Sequence, residues 1–166
     1  MDFASDGGPR PAIGMDVTLV RPKSRGTITL ASADPAAETR LDAAPLGDPA
    51  DVTALVQGVR LARLIVSASV LDSLRGDETA ETAGRDATPD LQTVVRALAG
   101  VRGHVAGCCA MGPDDDAAAV VDASLRVRGV RGLRVAGAAV MPDIVNAPPL
   151  AASAMIGGRA AELLDA

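Results

Sequence analysis

One histidine, His104, precedes two adjacent thiols in the run His104-Val105-Ala106-Gly107-Cys108-Cys109-Ala110-Met111-Gly112-Pro113, and the chain has no other histidine. An imidazole changes charge near neutral pH and can act as acid, base or metal ligand. A structural zinc needs four protein ligands. His104, Cys108 and Cys109 fall short of that, and no companion cluster is visible. A bridge between neighbouring cysteines strains the backbone, so both read as small, reduced, apolar residues. Asp114-Asp115-Asp116 reads as a solvated acidic loop, because three consecutive carboxylates rarely converge on one ion. No metal site is expected. Asn146 stands where turn formation is the ordinary use of an asparagine. The chemistry on offer is proton transfer by one imidazole. A lone loop histidine more often has no role, so its surroundings must decide.

Those surroundings are aliphatic. The 166 residues are nearly half hydrophobic, yet Phe3 is the sole aromatic and the net charge is −5. This length suits one domain, or one domain with part of another. A stacking platform for bases or sugars is excluded, and the acidic balance argues against nucleic acid as a partner. The densest basic group, Arg21-Pro22-Lys23-Ser24-Arg25, reads as a solvated turn. The first residues carry no basic and apolar leader pattern, and no apolar run reaches membrane-spanning length. A cytoplasmic protein without a membrane partner is expected.

The elements that must position His104 follow from periodicity. Residues 1–14 are rich in Gly and Pro and read as loose. Residues 15–20 alternate as a strand does, and residues 26–30 repeat the pattern, so the two are expected to pair antiparallel. Residues 31–48 read as a surface connection. Asp48-Pro49 starts a helix that runs to about residue 70, with Val52, Leu55, Val56, Val59, Leu64 and Ile65 as its apolar stripe. Residues 75–88 read as loop. Thr88-Pro89 caps a second helix carrying Leu91, Val94, Val95 and Leu98, which Gly100 ends. His104 then falls on a loop. Residues 120–130 read as extended or turning chain, and residues 133–136 as a strand. Residues 150–164 read as a final helix, with Leu150, Ala154, Ile156, Ala160, Leu163 and Leu164 partly aligned.

Several of these blocks stand in a familiar order. Leu19-Val20-Arg21-Pro22-Lys23-Ser24-Arg25-Gly26, Ala31-Ser32-Ala33-Asp34-Pro35, Asp48-Pro49-Ala50-Asp51 and Gly58-Val59-Arg60-Leu61-Ala62-Arg63 precede the His104 run. Val120-Val121-Asp122, Leu125-Arg126-Val127-Arg128-Gly129-Val130, Gly132-Leu133-Arg134-Val135-Ala136-Gly137-Ala138-Ala139-Val140-Met141-Pro142 and Met155-Ile156-Gly157 follow it. From about Ile13 onward the chain resembles the C-terminal portion of a glucose-methanol-choline (GMC) oxidoreductase.

The resemblance implies an α+β fold. Residues 15–103 would form part of a substrate domain, an antiparallel or mixed sheet with helices on one face. Residues 104–166 would be the strand-helix segment that completes an α/β FAD-binding domain. It also implies oxidation of a small alcohol, with FAD as hydride acceptor and His104 as the base that takes the hydroxyl proton. Gly137, Ala138, Pro148 and Pro149 would lie at the cofactor. Family register puts the second His/Asn position on Pro148, which has no side-chain donor or acceptor. Asn146, two residues earlier, is the candidate helper. Gly137 stands where the family commonly has Asp, and Cys108 where Thr is usual. No Gly-x-Gly-x-x-Gly turn is present to hold the FAD pyrophosphate, so FAD is not expected to be held by this chain alone. The expected partner is an N-terminal FAD-domain chain, or a second copy through the exposed domain face. Two other readings stay open: a catalytically inactive remnant, and a non-enzymatic module that pairs with a flavoprotein.

Overall fold

Helix α1 (Pro49–Val66) begins where the Asp-Pro pair predicts. The Asp48 carboxylate accepts the amide of Ala50 at 2.8 Å, and Pro49 occupies the first turn, where its missing N–H costs nothing. The computed structural model describes residues 2–3, 13–101 and 103–164. The chain divides into two compact units, Met1–Arg25 with Ala44–Gly100, and Gly26–Ala43 with Val101–Ala166. The fold is α+β, as the sequence suggests. No described helix is long and apolar enough to cross a membrane.

In the first unit α1 packs on α2 (Thr88–Leu98). Val52, Val56 and Val59 of α1 close against Leu91 and Val95 of α2. Fully burying a side chain of this size stabilises by about 1.5–3 kcal/mol. The buried stripe of α1 continues through Ala62 and Val66. Leu64 and Ile65, expected on that stripe, are exposed. At about 100° per residue they point well away from the mean direction of Val52, Val56, Val59, Ala62 and Val66, so their spacing was misleading. The helix also stops at Val66 and is followed by a 3-10 turn, Ser69–Leu71.

Helix α2 matches its expected span, with one correction at its start. Ala87 is the cap position and offers no side-chain bond; Thr88 is already helical. The Thr88 hydroxyl instead accepts a hydrogen bond from Arg60 at 2.7 Å.

Residues 15–20 are not a strand. Their burial alternates as predicted, but the inward face docks on the helix layer. Val17 packs on the α1–α2 core, and a Cβ added at Gly58 would collide with its Cγ1. The expected partner of residues 26–30 is therefore wrong. Strand β3 (Thr27–Thr29) pairs antiparallel with β4 (Arg40–Asp42), inside the stretch expected to be a plain connection. The turn between them is local chemistry: Ala37 donates to the Asp34 carbonyl at 3.1 Å, with Pro35 following Asp34. The N-terminal stretch expected to be loose pairs Asp2–Phe3 (β1) with Ile13–Gly14 (β2); the rest of that stretch lies outside the described residues.

The second unit is built mainly from loops around one core. Val121, Leu125, Val140 and Met141 meet Ile156 of helix α3 (Leu150–Leu164). Ala152, Ala160 and Leu163 share the inward face of α3, whereas Leu150, Ala154 and Leu164 are exposed. Residues 133–136 form no strand. They contribute one isolated antiparallel bridge, Arg126 to Arg134.

Candidate active site

The segment that follows His104 is stitched to the segment that follows Gly137. The amides of Gly107, Cys109 and Met111 donate to the carbonyls of Ala138, Ala139 and Val140 at 3.0, 2.8 and 2.9 Å. Alternate amides of an extended chain point to one side, so every second residue can reach the same neighbour. The receiving residues form a 3-10 turn, Ala138–Val140, entered through Gly137.

Two glycines make this approach feasible. Gly107 has φ +81°, and a Cβ there would lie 3.1 Å from the Met141 carbonyl oxygen. Gly137 has φ +96° and ψ −160°, a conformation essentially confined to glycine. No atom lies within 4 Å of where its Cβ would be, so the backbone there faces open space.

His104 is exposed, and among the described residues its ring makes no hydrogen bond. Two residues on, Ala106 turns into the core. Ala138 and Val145 pack on that same core. The structure thus gathers residues within two positions of His104, Gly137 and Asn146 around one cluster. Asn146 itself is exposed and shares no hydrogen bond with His104. Pro148 is exposed and Pro149 buried; the Pro149 carbonyl accepts the amide of Ser153 at 2.8 Å in the first turn of α3.

Two side chains that the sequence reading passed over hold this arrangement. Arg128 donates to the carbonyls of Gly112 and Pro113, both at 2.8 Å, and pairs with Asp114 at 3.3 Å. It fixes the end of the His104 run. Asp122 accepts the amides of Ser124 and Arg126 at 2.8 and 2.9 Å. Hydrogen bonding from the Arg126 amide is the main reason its carboxyl lies below the usual value; the Ser124 amide and the charges of Arg126 and Arg128 add to it. The resulting turn holds Leu125 at φ +63° with its side chain buried. An Asp three residues before a buried Leu was the available signal. Cys108 is exposed and Cys109 half-buried, and both are free. Burial, then the neighbouring Cys108 charge and hydrogen bond, push the Cys109 thiol up. Among the described residues no group of three His, Cys, Asp or Glu is placed to hold a metal.

The chain is similar to known proteins over most of its length. The family model for GMC oxidoreductases matches residues 22–157. The chain is 39% identical over 159 residues to glucose dehydrogenase [FAD, quinone] of Drosophila pseudoobscura pseudoobscura, covering 92% of this chain and 25% of that protein. It is 33% identical over 166 residues to alcohol dehydrogenase [acceptor] of Pseudomonas putida, covering 98% of this chain and 30% of that one. Among solved structures, pyridoxine 4-oxidase from Mesorbium loti superposes with a TM-score of 0.80 at 25% identity, over 86% of this chain and 28% of its own. An FAD-dependent oxidoreductase from Chaetomium thermophilum gives 0.82 at 28% identity, over 87% of this chain and 25% of its own. The chain spans 25% and 30% of the length of the two curated relatives. With the His104 run, the Gly137 turn and the first half of the closing helix matched in one continuous stretch, the chain belongs to the GMC oxidoreductase family.

Proposed function

We propose that this chain supplies the C-terminal segment of an FAD-dependent oxidoreductase acting on the CH–OH group of a small alcohol, with His104 as the general base. The observation that carries the reading is the triple amide-to-carbonyl connection between residues 107–111 and 138–140, which holds the imidazole segment against the open Gly137 turn.

The open face at Gly137 fits a flat group that comes close to the backbone, since no side chain stands in front of it. Gly137 and Ala138, with Pro148 and Pro149 before α3, would hold the ring end of FAD. When bound, FAD supplies the acceptor for the hydride leaving the alcohol carbon. The chain's own contribution is the proton. An uncommitted ring nitrogen of His104 accepts it from the substrate hydroxyl, and the Gly107–Ala138 bond keeps the segment in place while it does so. Asn146 is the proposed helper at the same oxygen. The pyrophosphate end of FAD calls for a dinucleotide-binding fold, which would come from outside these 166 residues.

The test is the visible absorbance of the purified chain, alone and co-expressed with a GMC FAD-domain polypeptide, followed by alcohol turnover with His104→Ala. A yellow complex formed only with the second polypeptide, active with His104 and inactive without it, supports the proposal. Absence of flavin from both samples would point to an inactive remnant or an interaction module.

A further inference from the structure

The backbone between Asp122 and Arg134 builds a second feature that the proposed chemistry does not use. Val127 and Val135 turn toward the core of the second unit. Side chains alternate along extended chain, so Arg126, Arg128 and Arg134 turn the other way. With Arg131 they line a pocket of about 380 Å³ whose only carboxylate is Asp122. The chain as a whole carries a net charge of −5. Four arginines around one pocket oppose that background, although the Arg128 guanidinium is spent on the Gly112 and Pro113 carbonyls and Asp114.

Two observations point to a ligand. Arg126 and Arg134 stand directly opposite each other in an antiparallel bridge; like charges at such a pair repel. The guanidiniums of Arg126 and Arg131 make no side-chain hydrogen bond among the described residues. Asp122 feels the charges of Arg126 and Arg128, but one carboxylate leaves an excess of positive charge among four arginines.

We propose that this pocket is a binding site for a small phosphate-type oxyanion, held by Arg126, Arg131 and Arg134. A guanidinium offers a planar fork of donors that matches such an oxyanion in two places at once. The anion offsets the Arg126–Arg134 repulsion and gives the Arg126 and Arg131 guanidiniums acceptors. Gly129 and Gly132, at φ +76° and +74°, keep the intervening turn tight enough to bring Arg131 back to the same mouth.

Calorimetric titration of the full chain with inorganic phosphate and with glycerol phosphate, each against sodium chloride at matched ionic strength, tests the proposal. Saturable binding of either anion is expected. Tighter binding of glycerol phosphate would identify the phosphate ester of a larger molecule as the source, and tighter binding of inorganic phosphate the free ion. Arg126→Gln with Arg131→Gln should weaken binding by about tenfold or more. Both side chains are exposed, so the far-UV circular dichroism should not change. Heats no larger than those of chloride, or undiminished binding by the folded double variant, would overturn the site.

Discussion

The amide of Gly107 donates to the carbonyl of Ala138 at 3.0 Å, and the Gly107 Cα faces the Met141 carbonyl so closely that a methyl group would sit 3.1 Å from it. One residue thus meets two conditions: left-handed φ and close backbone approach. Gly107→Ala should destabilise the chain by about 1–2 kcal/mol from the conformational penalty alone, with crowding added. Urea unfolding followed by circular dichroism measures this. An unchanged midpoint would show that the segment does not lie along the 138–140 turn.

Asp51 is buried at the start of α1 and accepts the amides of Lys23 and Ser24, each at 2.8 Å, together with the Ser24 hydroxyl. The Ser24 oxygen in turn accepts the Asp48 amide at 3.0 Å. Burial works to raise the Asp51 carboxyl. The three hydrogen bonds and the Arg25 charge outweigh it and hold the group below the usual carboxylate value. A depressed folded value favours the folded state above the unfolded value of about 3.9, and that stabilisation is lost as pH falls through the folded value. Asp51→Ala should cost about 1.5–3 kcal/mol at neutral pH. Its deficit relative to the parent should shrink in acid. A deficit that does not vary with pH would mean that the carboxylate is not the stabilising species.

Arg63 joins α1 to the loop before α2. It donates to Glu78 at 2.9 and 3.0 Å, to the Thr82 carbonyl at 2.6 Å, and to the Arg85 carbonyl and Asp86 at 3.2 Å. A planar fork serves several acceptors that an ammonium cannot reach together. Both Arg63→Ala and Arg63→Lys should therefore speed proteolytic cleavage within residues 76–86. The alanine variant should lose about 1–3 kcal/mol of stability. Lysine that restored full protection would show that charge alone holds the loop.

His104 is exposed and makes no hydrogen bond within the described structure. Its replacement should leave stability within about 0.5 kcal/mol, as for other surface positions. In the flavin-loaded assembly His104→Ala should lower kcat by about 10²–10⁴-fold. Unfolding and turnover measured on the same preparation separate the two effects. A large stability loss, or turnover unaffected by the substitution, would remove His104 from the proposed role.

What the sequence determined by itself is local. The Asp48 cap, the Pro residues near the helix starts and the three- and four-residue apolar spacing put α1, α2 and α3 where they are found, because the information for a helix lies within one or two turns. The His104 run and the blocks after it were legible as family motifs for a related reason: residue types and short spacings survive without the fold. Tertiary structure decided which surfaces meet. Residues 15–20 carry a strand's alternation, yet they dock on α1 because Gly58 leaves room for Val17. That left β3 to pair with β4, which no periodicity in residues 31–48 announced. Gly107 looked like any loop glycine until the Met141 carbonyl stood in front of it. Arg126 and Arg134 looked scattered until a bridge set them opposite each other. Hydrogen-bond pairing between distant segments depends on which packing surface wins, and that competition is settled only when the whole chain has folded.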